Sequence, residues 1–244
     1  MGTSFLGMNS AYIAMVVVSL LLGICTQAFI SRSYSKYSHR DNRTGMTGAQ
    51  IARRMLDDNG MSDVPVECVA GTLSDHFDPR GPVVRLSEGV YGSASVSAMA
   101  VACHECGHAV QHARGYAPMR VRTALVPVAN FGSTLWIWLL LIGLFLNATG
   151  LIWVGIALFS FSVLFHLVTL PVEFNASRRG MDYIRGDAAA GQVEISRGVG
   201  AVLPDSVAGG ARRVLTAAAL TYVASALTSL MQLFYYIGIA RNRS

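Results

Sequence analysis

Apolar residues gather in long blocks along this chain, with the polar residues confined between them. Ala11 to Ile30 is a mostly apolar run of twenty residues, enough for a helix of about 30 Å, the depth of a hydrocarbon core. Thr123 to Val172 carries no formal charge over fifty residues, and as a single helix it would reach about 75 Å, so it must turn back. Asn147-Ala148-Thr149-Gly150 is the break, which predicts a helical hairpin of two spans, Leu125 to Leu146 and Leu151 to Leu170. Val214 to Ala240 is the last charge-free block, and Asp205 or Ser206 is placed to cap a helix that runs into it through Arg212 and Arg213.

The polar segments predict smaller elements. Residues 31 to 46 read as a basic tether. Thr47 caps a short helix over Gly48 to Asn59, whose Ile51, Met55 and Leu56 share a face, and Gly60 ends it. Val64 to Val69 and Val83 to Leu86 are two short β-rich stretches, with the turn-rich loop Leu73 to Pro79 between them. An exposed strand edge there would offer unpaired backbone groups to an extended peptide, which makes Arg85 and Leu86 candidates for substrate contact. Ser93 to Ala113 follows as a helix with a Ser-rich start, stopped by Gly115. Residues 186 to 203 are rich in Gly and Ala and carry no clear chemistry.

Composition sharpens this into a membrane protein, since 52% hydrophobic and 14% charged residues suit no soluble domain of 244 residues. Eleven of the 19 basic residues lie between Arg32 and Arg122, six between Arg178 and Arg213, and two at the C-terminus. By the positive-inside rule the two basic regions are cytoplasmic, the N-terminus and the hairpin turn are outside, and Arg241 and Arg243 fall outside as a minority. The net charge of +5 therefore needs no nucleic-acid partner. Four cysteines are too few and too scattered for a secreted disulfide scaffold, so a reducing compartment fits.

Chemistry concentrates at His104-Glu105-Cys106-Gly107-His108. Histidines four apart on a helix lie about 6 Å apart on one face, where both rings can reach one zinc ion, and the intervening glutamate can take a proton from a metal-bound water. Cys103 and Cys106 are turned about 100° and 200° from His104, away from that face, which disfavours a redox pair there. His112 sits about 12 Å along the axis from His104, too far to share the ion, and Arg114 stands where a metzincin would have its third histidine. The third ligand must come from elsewhere, and the first acidic residue after the hairpin is Glu173. His166 is the one ionisable side chain inside the hairpin, where a helix-to-helix hydrogen bond would satisfy it.

Gly71 to Pro79, Val84 to Ser87, Ala102 to Gln111, Thr169 to Ser177 and Ala217 to Ala224 together give the chain a further reading. In these motifs, in this order, it resembles the YugP-like membrane family of neutral zinc metallopeptidases, and more distantly the HtpX and CAAX-prenyl-type membrane gluzincins. The resemblance implies His104, His108 and Glu173 as Zn²⁺ ligands and Glu105 as catalytic base. In those gluzincins an Asp often stands four residues beyond the ligand glutamate and steadies a histidine; here Ser177 holds that place. His76, Tyr183 and Arg178 are candidates for stabilising the oxyanion.

The expected fold is mainly α, a polytopic protein with four transmembrane helices and a small zincin-like α+β catalytic part. It divides into an anchor (1–30), a cytoplasmic region with the metal helix (31–122), the hairpin (123–172), a second cytoplasmic region with the third ligand (173–213) and a final span (214–244). The expected function is zinc-dependent hydrolysis of membrane or membrane-proximal polypeptides at the cytoplasmic face of the inner, or plasma, membrane. The expected partners are the bilayer and a peptide or membrane-protein substrate, with the oligomeric state left open. The alternatives are a non-catalytic scaffold around a structural zinc, or a thiol oxidoreductase using Cys103 and Cys106.

Overall fold

The computed structural model describes residues 10–186 and 203–243. The Gly- and Ala-rich stretch falls almost entirely outside the described residues. The elements in order are α1 (Ser10–Ser38), α2 (Gly48–Asp58), β1 (Val66–Val69), β2 (His76–Asp78), β3 (Val83–Ser87), α3 (Glu88–Tyr91), α4 (Val96–Ala113), α5 (Ala117–Phe145), α6 (Thr149–Arg185) and α7 (Asp205–Arg241). Among the described residues four helices, α1, α5, α6 and α7, are long and apolar enough to cross a membrane. The chain forms two compact units: one of residues 1–27, 117–171 and 220–244, the other of 28–116 and 172–219.

In the first unit the hairpin turn falls where the sequence breaks. Asn147 takes the left-handed conformation (φ 53°), which a short polar residue tolerates best after glycine. α5 and α6 approach closely through glycines: a Cβ on Gly143 would lie 2.8 Å from the Ile152 side chain, and one on Gly155 3.0 Å from the Trp136 carbonyl oxygen. Leu140, Ile152, Ile156 and Ala240 form a buried cluster there. Trp136 stacks at 4.5 Å on Phe159 and 5.3 Å on Tyr236, whereas Trp138 and Trp153 face outward. His166 gives its Nδ1 proton to the Ser162 carbonyl at 2.8 Å, so its bond runs along its own helix rather than across to another.

In the second unit the small helix starts on a full capping box, with Thr47 and Gln50 each bonding the other's backbone, and Gly60 follows with φ 72°. Ile51, Leu56, Val84, Leu86, Val90 and Met99 are completely buried and make its core. Helix α1 continues to Ser38, through half of the expected tether, because residues 31–38 contain no glycine or proline to stop it. The sheet differs most from expectation. Its order is β1-β3-β2, with β1 parallel and β2 antiparallel to β3. The loop expected over Leu73–Pro79 contains β2, a strand with Phe77 alone buried, too short to show alternation. β3 is bonded on both sides and is no free edge, so Arg85 and Leu86 cannot receive a peptide by strand addition.

Candidate metal centre

Helix α4 is capped by the Ser95 hydroxyl, which accepts from the Ala98 N–H, and is buried on nearly every side. A helix so enclosed holds its side chains rigidly. The His104 and His108 rings stand one turn apart, with centroids at 4.7 Å and planes at 85°. The C-terminal part of α6 lies against them because two small residues permit it: a Cβ on Gly107 would meet the Ala176 carbonyl oxygen at 2.6 Å, and one on Gly180 the Cys103 backbone at 3.1 Å. That contact delivers Glu173, whose Oε2 lies 3.3 Å from His104 Nε2 and 3.7 Å from His108 Nε2. One ligand atom from each of the three lies within 4.8 Å of the others.

The hydrogen bonds around the cluster fix its chemistry. Gln111 is fully buried, and its Nε2 donates to the Val172 carbonyl at 2.8 Å and to Asn175 Oδ1 at 3.0 Å. Its Oε1 must therefore accept from His108 Nδ1, 3.0 Å away, so His108 turns a bare Nε2 lone pair toward Glu173. Ser177 bonds His104 Nδ1 at 3.1 Å and so turns the Nε2 edge of that ring toward the cluster. Glu173 Oε2 is buried with no hydrogen-bond partner. A buried carboxylate oxygen without a hydrogen bond, facing two imidazole nitrogens, is an arrangement that a cation resolves; left alone, that oxygen would cost on the order of 1–3 kcal/mol or more.

With no ion between them, burial opposes charge on His108, yet Glu173 and Glu105 outweigh it and hold its pKa above the ordinary value, so a bound cation would take the place of a proton there. Two imidazoles and a carboxylate are zinc's donors, and a tetrahedral ion with bonds of about 2.1 Å spaces its ligands about 3.4 Å apart, close to the two contacts measured. Glu105 is buried beside them, and burial raises its pKa, with the two histidines offsetting only part of the shift.

The remaining candidates are placed as follows. Tyr183 is buried and its hydroxyl donates to Asp58 at 2.7 Å. Arg178 is exposed and pairs with Asp182 at 3.8 Å. Arg85 pairs with Glu67 at 3.0 Å and Asp78 at 3.3 Å, and His76 is exposed with Nδ1 on the Ser74 carbonyl. None of these four has a hydrogen bond or ion pair to the cluster among those described. Cys103 and Cys106 are fully buried, and burial pushes both thiols up, away from thiolate. Gln111 and Asn175 were not singled out from the sequence. The available signal was a helical one, since Gln111 lies three residues beyond His108 on the same face.

The profile of the family described as "Putative neutral zinc metallopeptidase" matches residues 12–241. The chain is 45% identical over 231 residues to the protein named "Putative membrane protease YugP" of Bacillus subtilis (strain 168), across 95% of this chain and 97% of that one. No solved structure matches it. The similarity takes in all four apolar helices and both helices that bring the His104, His108 and Glu173 side chains together, and the chain therefore belongs to this zinc metallopeptidase family.

Proposed function

We propose that the protein is a membrane-embedded zinc peptidase of the gluzincin type, with a zincin-like catalytic part, that hydrolyses membrane or membrane-proximal polypeptides. The observation that carries the reading is the meeting of His104 Nε2, His108 Nε2 and the unpartnered Glu173 Oε2 in one buried cluster. These three side chains would hold Zn²⁺, which when bound polarises a peptide carbonyl and makes water acidic enough to attack near neutral pH. Gln111, accepting from His108 Nδ1, presents that ring's Nε2 to the ion, and Ser177 orients the His104 ring. Glu105, its basicity raised by burial, takes the proton from the attacking water and returns it to the departing amine. The charge pattern supports a cytoplasmic location for this part of the chain, at the plasma membrane, with the bilayer and a polypeptide substrate as partners and no nucleic acid.

The test is the Glu105→Gln variant in detergent or nanodiscs, assayed with a peptide library and for bound zinc. The expected result is one zinc per chain and activity down by at least about a hundredfold, as removing a general base implies. Unaltered activity would remove the proposal. Zinc binding without hydrolysis in either form would leave a structural site instead. A disulfide-exchange reading has no accessible thiolate to begin from.

A further inference from the structure

The membrane-spanning unit contains a cleft, apolar over most of its lining, whose polar groups the metal chemistry does not use. Its volume is about 470 Å³, and it is lined by Ser19, Gly23, Thr26 and Gln27 of α1, Phe159 and His166 of α6, and a stripe on α7 from Thr221 to Gln232. The stripe keeps helical spacing, Thr221, Ala224, Ser225, Thr228, Ser229 and Gln232, so hydroxyls and an amide occupy one face of α7 inside its apolar run. Some of these groups are partly satisfied within their own helices: Thr26 donates to the Leu22 carbonyl, Ser225 to Thr221 and Ser229 to Ala226. Their lone pairs remain. The Thr228 hydroxyl and the Gln232 amide have no hydrogen bond among the described residues, and Ser19 Oγ is buried without a partner. His166, with Nδ1 donated to Ser162, has Nε2 left for the cleft.

Several polar groups without partners in a membrane-spanning unit require a polar occupant. Acyl chains would satisfy none of them. The lining holds no carboxylate, lysine or arginine, so it selects no ion. It spans about 12 Å on α1 and about 16 Å on α7, the length of four or five extended residues, and Gly23 and Ala224 leave room for a backbone. A transmembrane helix must unwind before a peptidase can cut it, and the backbone N–H and C=O groups it frees need partners that lipid lacks.

We infer that this cleft binds an uncharged, unwound stretch of a membrane-spanning polypeptide substrate, with the hydroxyls and amides of α1 and α7 replacing the hydrogen bonds of the substrate's helix. The inference rests on the peptidase reading above. It is tested on the full chain carrying Glu105→Gln, reconstituted in vesicles, so that binding is read without hydrolysis. A photo-crosslinking residue is placed at Ser225 or Thr228 in the cleft, or at exposed Leu227 on the same helix. The probe is a single-span polypeptide whose apolar segment is interrupted by Ser-Gly-Asn at its centre, compared with an uninterrupted polyleucine span. The expected result is at least fivefold more crosslinking from the cleft positions than from Leu227, for the interrupted probe only, and a loss of the excess read at Ser225 when Thr228→Val and Gln232→Leu are combined. Equal crosslinking at Leu227, equal capture of the polyleucine span, or a cleft position that reacts only with a water-soluble thiol reagent (as Ser225→Cys) would overturn it. Failure of the peptidase reading would show separately, as wild-type protein that cleaves nothing while the crosslinking pattern stands.

Discussion

Gln111 decides which nitrogen of His108 faces Glu173, because its own amide hydrogens are held by Val172 and Asn175. Replacing it with Leu should lower zinc affinity about 10- to 100-fold while helix content stays the same, measured by competition with a coloured chelator. Ser177→Ala should have a smaller effect, on the order of a few-fold, since the His104 Nδ1 it bonds is only part-buried and water can take its place. The two histidines and Glu105 were legible from the sequence because one helix carries them and its period is known. Gln111 was not legible in this role, because what it bonds depends on how α6 lies against α4, and periodicity within one helix says nothing of that; Ser177 stood out only through the resemblance, at the place of a histidine-steadying Asp. The cysteines make a third prediction. In native protein an alkylating reagent should modify exposed Cys68 and leave buried Cys103 and Cys106 untouched until the chain is denatured, as counted by mass spectrometry.

Between elements, the contact that matters is α4 on the end of α6, and Gly107 sets its closeness. In Gly107→Ala the new methyl would stand 2.6 Å from a backbone oxygen, which no side-chain rotation relieves. Destabilisation of about 1–3 kcal/mol is expected, seen as a lower thermal midpoint, together with weaker zinc binding because Glu173 is pushed from the histidines. The helices and their caps were readable from Thr47, the serines before α4, Gly60 and Gly115, each a local signal, though α4 starts three residues later than expected. The sheet was not. β3 pairs with β1 in parallel and with β2 across a loop, so its central position arises from pairings that no short stretch encodes. β2 is held in part by charge, Asp78 on it bonding Arg85 on β3, and by the turn where Asp75 accepts from the Ser87 N–H and hydroxyl.

Across the whole molecule, the basic residues gather mainly in two regions, between Arg32 and Arg122 and between Arg178 and Arg213, that alternate with blocks free of charge. The topology proposed here predicts that, in a background with Cys25 and Cys68 replaced by Ser, Ala148→Cys is labelled on intact cells by an impermeant reagent, and Gly81→Cys only after permeabilisation. The unit holding the metal cluster is built from two separated parts of the chain, 28–116 and 172–219. A ribosome therefore completes the two histidines sixty-five residues before it adds Glu173, and the intervening stretch is the hydrophobic hairpin. On the proposed reading zinc loading must follow that hairpin's synthesis, and a chain arrested at the hairpin turn would carry a two-ligand half-site with no hydrolytic capacity.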